Sequence, residues 1–580
     1  MQRKRPIHNI LAKMPADGLV AIMLVVWWLL NMVAGGVVEL ANDEAYYWWW
    51  ATGSGLDWGY YDHPPMVAWL IWLGAWIPGE IGVRAVVSLL QPVGLFLLWK
   101  MFVGEYPESN NRKAALLFVL ASFAMPLLQL YGLLALPDAP LLFGTVVFLW
   151  AIRRMWRRGD VASAVMTGAA TALIGYSKYQ GIILVVTAGI VYIVAAWQNG
   201  NRWKRTAMLI TIWIVSAAVL YAPHLIWLWK HDWAPLRYHL AERATEEYRF
   251  AFTLEYLVGL LLLFYPLMMW FEAKGLAKGD KRSFVSRLMR WTVAGYVAFF
   301  FVASFKGRTQ PQWVLPAVIG VVWLVMEHVA RAKSKKAVTI LAVLSAVLML
   351  TARVLVMFNP MGWSGELWGN KEHYTEVGQV AKGRPVIYLR DYTSSCKYLF
   401  YTGGEACTLP LYFDRDSQWQ YADADKEWRG KDVLLIVPEW YSAAKQELAD
   451  GSEITYWEVT DYVPTRRMAI EVKEAWTEGQ MLKTRLKITN PYPYAIAGYN
   501  DRWTRVRLSF RLSQKEQPHF EAELKESIGA GETKELVCQF NIGELAENIA
   551  DKPAEMGLEI DGMPICSNRA HSRLPLKIAK

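Results

Sequence analysis

The chain has 580 residues, 54% of them hydrophobic, 30 tryptophans, a mean hydropathy of +0.16 and a formal charge of +9. Such values exclude an ordinary soluble domain and point to a membrane protein. The positive balance falls largely in loops between apolar runs, so it reads as a topology signal and calls for no nucleic-acid partner.

Stretches long enough to cross about 30 Å of hydrocarbon recur through residues 1–358, and about eleven are expected as helical spans. They are 17–38, 81–104, 114–131, 140–152, 161–176, 181–197, 206–229, 252–271, 291–305, 312–329 and 337–358. The first lacks a small-residue cleavage site before the acids that follow it, so it reads as a retained helix rather than a signal peptide. Every second loop is basic: Arg3 to Lys13, Arg112 and Lys113, Arg153 to Arg158, Arg202 to Arg205, Lys274 to Arg290, and Arg331 to Lys336. The rule that basic loops stay inside puts the N-terminus in the cytoplasm and residues 359–580 outside.

The other loops then face outward, and they carry the unusual residues. Loop 39–80 opens with "NDEAYYWWW" and continues through "LDWGYYDHPPMVAWL", suited to short helices lying in the interface. Farther on come "LALPDAPLL", "GYSKYQG", "WKHDWAPLRYHLAERATEEYR" and "SFKGRTQPQWVLP". The composition then changes. Residues 359–465 alternate β-branched runs with helix-compatible stretches, predicting a small α/β domain. Residues 466–580 alternate as short strands, predicting a β-sandwich. All four cysteines lie in this outer part; Cys396–Cys407 and Cys538–Cys566 is the simplest of three pairings, and unpaired thiols are the alternative.

Asp43 and Glu44 read in two ways. As the first turn of a short helix they could simply cap it and complement its dipole. With Asp57, Asp62, His63, Asp138 and Lys178 on the same side, they instead read as part of a site. The Asp-Glu pair, "YYDHPP", "PDAPL", "SKYQG" and "SFKGRTQPQWVLP", in this order across about residues 19–330, resemble bacterial GT-C glycosyltransferases. The group resembled is that of protein mannosyltransferases and aminoarabinose transferases, glycosyltransferase families 39 and 83. One departure is clear: aminoarabinose transferases typically have Glu-Lys before the Pro pair, and here it is Asp62-His63.

The resemblance implies a polytopic GT-C domain over 1–358 in a bacterial inner membrane. It implies transfer of a sugar, with inversion, from a polyprenyl-phosphate donor to a lipid, glycan or protein acceptor outside that membrane. A hydroxyl acceptor needs a base, and Asp43 matches that position, with Glu44 as support and Asp138 as the second acid. The leaving phosphate needs cations, for which Lys178, Lys306, Arg308 and Arg84 are candidates. Headgroup binding is the alternative for Lys306 and Arg308, and snorkelling or helix pairing for Arg84. Tyr47, Asp62, His63 and His239 are the expected acceptor or sugar contacts. An Asp with His63, His224, His231 and His239 also resembles a divalent-metal ligand set, and equally a group of loop hydrogen-bonders. The rival readings are a flippase or transporter of a lipid-linked sugar, which needs ionisable groups near the midplane, and a membrane-anchored glycan-binding protein.

Overall fold

Asn111, Asp160 and Ser283 each stand just ahead of an apolar run. Each side chain accepts a hydrogen bond from the backbone N–H three residues on, at 3.1, 2.7 and 3.4 Å. These caps fix three helix starts. The computed structural model describes residues 14–200, 203–237, 248–264, 269–278, 280, 282–332, 335–499, 504–512, 517–547, 552–560 and 578–579. Contacts divide the chain into two units, Met1–Trp368 and Gly369–Lys580.

The first unit is helical: α1 (Ala16–Val37), α2 (Asn42–Trp49), α3 (Met66–Gly74), α4 (Gly79–Glu105), α5 (Arg112–Phe123), α6 (Pro126–Tyr131), α7 (Asp138–Arg158), α8 (Val161–Ser177), α9 (Ile182–Gln198), α10 (Trp203–Lys230), α11 (Phe250–Leu263), α12 (Met269–Lys278), α13 (Phe284–Ala303), α14 (Leu315–Arg331) and α15 (Lys336–Phe358). The helices α2 and α3 occupy the loop 39–80.

The chain is a multi-pass membrane protein, and the expected count of eleven spans is not confirmed. Among the described residues, seven helical stretches are long and apolar enough to cross: α1, α4, α7, Tyr179–Gln198, α10, Pro311–Arg331 and α15. The run 114–131 is broken instead of continuous. Pro126 lacks an N–H and holds Met125 extended (φ −80°, ψ 115°), so α5 stops and α6 starts afresh. The stretch containing α14 is the centre of the unit, with 83% of its apolar window buried, whereas α10 and α15 bury only 17% of theirs. Exposed Leu344, Val347 and Leu348 of α15 suit lipid. Between helices in lipid, close approach replaces the hydrophobic drive. A Cβ at Gly168 of α8 would lie 1.9 Å from Ser216 Oγ of α10, so only glycine admits this contact.

Residues 359–368, expected with the outer domains, belong to the helical unit: Trp368 Nε1 donates to Val356 O at 3.0 Å.

The second unit begins with helix α16 (Asn370–Ala381). Strands β1 (Val386–Leu389), β2 (Ala406–Leu409), β3 (Val433–Val437), β4 (Ala444–Glu447) and β5 (Glu453–Val459) form a sheet of order β2-β1-β3-β5-β4. The first three are parallel, with Val386 opposite both Ala406 and Leu434, and helix α17 (Tyr392–Thr402) links β1 to β2. After them, β6 (Ala469–Glu478), β7 (Met481–Thr489), β8 (Thr504–Phe510), β9 (His519–Glu523), β10 (Thr533–Asn541), β11 (Ala554–Ile560) and β12 (Ile578–Ala579) make two sheets, β10-β7-β6-β12 and β11-β8-β9. Leu482, Leu486 and Ile488 from one sheet share a core with Val506, Leu508 and Leu558 from the other.

The expected Cys396–Cys407 bridge is not made. Cys396 lies on α17 and turns its Sγ back along the helix to Tyr392 O at 3.1 Å, while Cys407 is buried within β2. Cys538 is a buried thiol on β10, and its expected partner Cys566 lies outside the described residues.

Candidate functional site

Glu44 is the third residue of α2, and its carboxylate reaches back to the Ala41 N–H at 3.1 Å. It does much more than cap. Its Oε1 accepts from Arg84 Nε and from the Ala135 N–H, both at 2.8 Å, and its Oε2 accepts from Arg84 Nη2 at 2.5 Å. Arg84 also donates to the carbonyls of Gly35, Val38 and Glu39. Both side chains are 0% exposed. The pair ties α1, α2, α4 and the segment before α7 together. Arg84 thus spends all five donors inside the protein and is not placed to receive a phosphate. Glu44, expected beside the base, is a buried clamp; the reason is its arginine, 40 residues away in sequence.

Asp43, one residue earlier, is exposed. Tyr131, at the end of α6 and 4% exposed, lies within electrostatic reach of both Asp43 and Asp138. Asp138 opens α7, is 4% exposed, and accepts from Lys178 Nζ at 2.7 Å through Oδ2. Its Oδ1 is buried with no hydrogen-bond partner among the described residues. Lys178 follows α8 in an extended conformation (φ −163°, ψ 137°), which aims its side chain at the start of α7. The structure therefore pairs Asp138 with Lys178, and the charges of Asp138 and Asp43 both reach Tyr131.

The aromatic residues after Asp43 build one wall. Tyr46 donates to Asp62 at 3.0 Å, and Trp50 stacks on Tyr60 at 4.5 Å. Tyr47 is buried, with its ring 4.7 Å from Trp50 and 6.0 Å from half-buried His63. Asp57 accepts from Trp227 Nε1 at 2.8 Å. His224 is buried between Trp58 O (2.6 Å) and the Tyr179 hydroxyl (3.1 Å), and His231 stacks on Trp227 at 4.0 Å. His224 and Trp227 pin the first outer loop to α10, and His231 packs on the end of that helix. Among the described residues, no group of three or more His, Cys, Asp or Glu is placed to hold a metal ion, and His239 lies outside them.

Lys306 and Arg308 are exposed between α13 and α14, and Arg308 pairs with Glu255 at 3.0 Å. Arg308, expected as a phosphate contact, is thus paired with a carboxylate of α11.

Sequence reasoning missed two features. One is Tyr131. The other is Arg353, an arginine inside the last span. Its Nη1 donates to Asn31 Oδ1 at 2.7 Å and its Nη2 to Gln129 Oε1 at 2.6 Å. Asn31 in turn donates to Gln91 Oε1 and to Gly132 O, while Gln91 donates to Leu128 O. Gln129 donates to Phe123 O across the break between α5 and α6. Gln129 thus meets a carbonyl at the break, Gln91 and Asn31 meet carbonyls in and after α6, and Arg353 joins Gln129 to Asn31. An arginine in an apolar run is costly unless used, which was the available signal.

The helical unit defines a class: it has the GT-C fold. Solved ArnT from Cupriavidus metallidurans superposes on the chain with a TM-score of 0.58 at 14% identity, covering 76% of this chain and 98% of that one. Its complex with undecaprenyl phosphate gives 0.54 at 14% identity, with the same coverage. Residues 62–227 match the family model described as dolichyl-phosphate-mannose-protein mannosyltransferase. Among curated proteins, lipid A galacturonosyltransferase RgtD of Rhizobium johnstonii is 26% identical over 191 residues, 32% of this chain. That match spans 38% of RgtD's own length.

Proposed function

We propose that the protein is an inverting glycosyltransferase that moves a sugar from a polyprenyl-phosphate donor to a hydroxyl acceptor on the outer face of a bacterial inner membrane. The observation that carries this reading is the buried Asp138–Lys178 pair at the start of α7, with the charges of Asp138 and exposed Asp43 both reaching Tyr131. The printed functions of the similar proteins, and the undecaprenyl phosphate in one of them, support it. The basic loops support a cytoplasmic N-terminus and outer C-terminal domains.

Asp43 takes the proton of the acceptor hydroxyl as its oxygen attacks the anomeric carbon. The bond from that carbon to the phosphate oxygen breaks, and polyprenyl phosphate leaves. Lys178, held in place by Asp138 before any substrate arrives, offsets the charge that develops on the phosphate. Asp138 Oδ1, buried and without a hydrogen-bond partner among the described residues, accepts from a hydroxyl of the donor sugar. Water leaves the donor pocket as the lipid tail enters sideways from the bilayer.

The test is sugar release by the purified protein from a panel of polyprenyl-phosphate sugars. One donor is consumed, and Asp43→Asn lowers its turnover by about 10²–10⁴-fold without unfolding the protein. Binding of a donor without consumption, equal in wild type and variant, would favour transport or simple glycan binding instead.

A further inference from the structure

The second unit has a cleft that the membrane site does not use. It opens at the carboxyl ends of the three parallel strands. The chain leaves β1 through α17 to β2 on one side and returns to β3 on the other. In open α/β sheets, ligands bind where the connections diverge in this way. Arg390 directly follows β1, Pro410 follows β2 and Trp440 lies just beyond β3.

Three arginines enter this cleft, Arg390, Arg415 and Arg466, together with Tyr392, Trp419 and Gln420. Arg390 adopts a left-handed backbone (φ 69°) although it is not glycine, a strained conformation of the kind that clusters at ligand sites. Its guanidinium sits 5.3 Å over the ring of Trp440 and pairs with Asp414 at 2.8 Å. Arg415 lies 5.2 Å over the Tyr392 ring and donates to the Tyr392 hydroxyl at 3.2 Å. Trp419, fully buried, forms the floor and donates its Nε1 to Tyr392 O at 3.1 Å.

Two observations point to a ligand. Arg466 Nη1 is buried and has no hydrogen-bond partner among the described residues, an expensive position for a charged donor. Trp440 at the rim is 69% exposed, a flat apolar face in water beside a cation. Three guanidiniums face two carboxylates, Asp414 and Asp416, so the cleft favours an anion. The start of α17 supplies no anion site, because Asp391 already accepts from the Thr393 and Ser394 N–H groups.

We propose that this cleft binds a saccharide carrying an anionic group. The phosphate or carboxylate pairs with Arg466 and Arg415, whose forked donors suit such groups. The sugar ring lies against Trp440, and Gln420 and Asp416 receive its hydroxyls. The assignment stands whether or not the membrane unit transfers a sugar.

The test is titration of the purified full chain with glucose 6-phosphate, glucuronate, glucose and inorganic phosphate, read by tryptophan fluorescence. The two anionic sugars bind saturably, and Arg466→Gln weakens both by about tenfold or more. Trp440→Ala weakens the sugars without weakening phosphate, and its exposure makes it harmless to folding. The same anionic sugar on a lipid in nanodiscs supports the cleft equally, and a preference for it names a membrane-bound ligand. Absence of saturable binding, unchanged binding in both variants, or phosphate binding as tightly as its sugar ester would overturn the assignment.

Discussion

Two neighbouring acids, Asp43 and Glu44, do opposite work. Glu44 accepts four hydrogen bonds and is fully buried with Arg84; Asp43 is exposed beside Tyr131. Removing one partner of a buried ion pair leaves the other charge without compensation. Glu44→Gln or Arg84→Met therefore destabilises the folded protein by about 3–5 kcal/mol, measurable as a lowered thermal midpoint in detergent. Asp43→Asn leaves that midpoint unchanged. Lys178→Gln removes the cation paired with Asp138, and donor turnover falls by about 10²–10³-fold in the same assay. What singles out this end of the molecule in the sequence is a gathering of acids and a lysine in loops expected on one membrane side. The sequence could not divide the labour between adjacent acids, since the arginine that decides it is 40 positions away.

At the scale of elements, the broken third run matters most. Gln129 meets the Phe123 carbonyl at the break between α5 and α6, Gln91 and Asn31 bond carbonyls in and after α6, and Arg353 from the last span joins Gln129 to Asn31. Tyr131 sits at the end of this anchored helix. Arg353→Met removes the shared donor, so backbone amides of residues 124–138 exchange hydrogen faster, while those of α14 do not. Equal exchange in wild type and variant would show that the network holds nothing in place. Pro126 was visible in the sequence, and so was Arg353 inside an apolar run. Their connection was not, because residues 31, 91, 129 and 353 share no periodicity and meet only by packing.

For the whole molecule, hydropathy alone revealed the membrane class and the change of composition that precedes the sheets. Counting spans was less secure: α5, α8 and α11 are apolar yet short, and a helix packed within protein need not be long enough to cross lipid. The boundary was set ten residues early, because the turn after α15 folds back on that helix through Trp368. Register within the sheets was beyond reach, as alternation shows which face is buried without naming the neighbouring strand. The proposed chemistry lies at the end of the bundle that carries Asp43 and the Asp138–Lys178 pair. Its most direct test is donor turnover per folded molecule, measured for Asp43→Asn beside Glu44→Gln. The account predicts that Asp43→Asn folds and is inactive, whereas whatever fraction of Glu44→Gln stays folded still turns over. An active Asp43→Asn would contradict it.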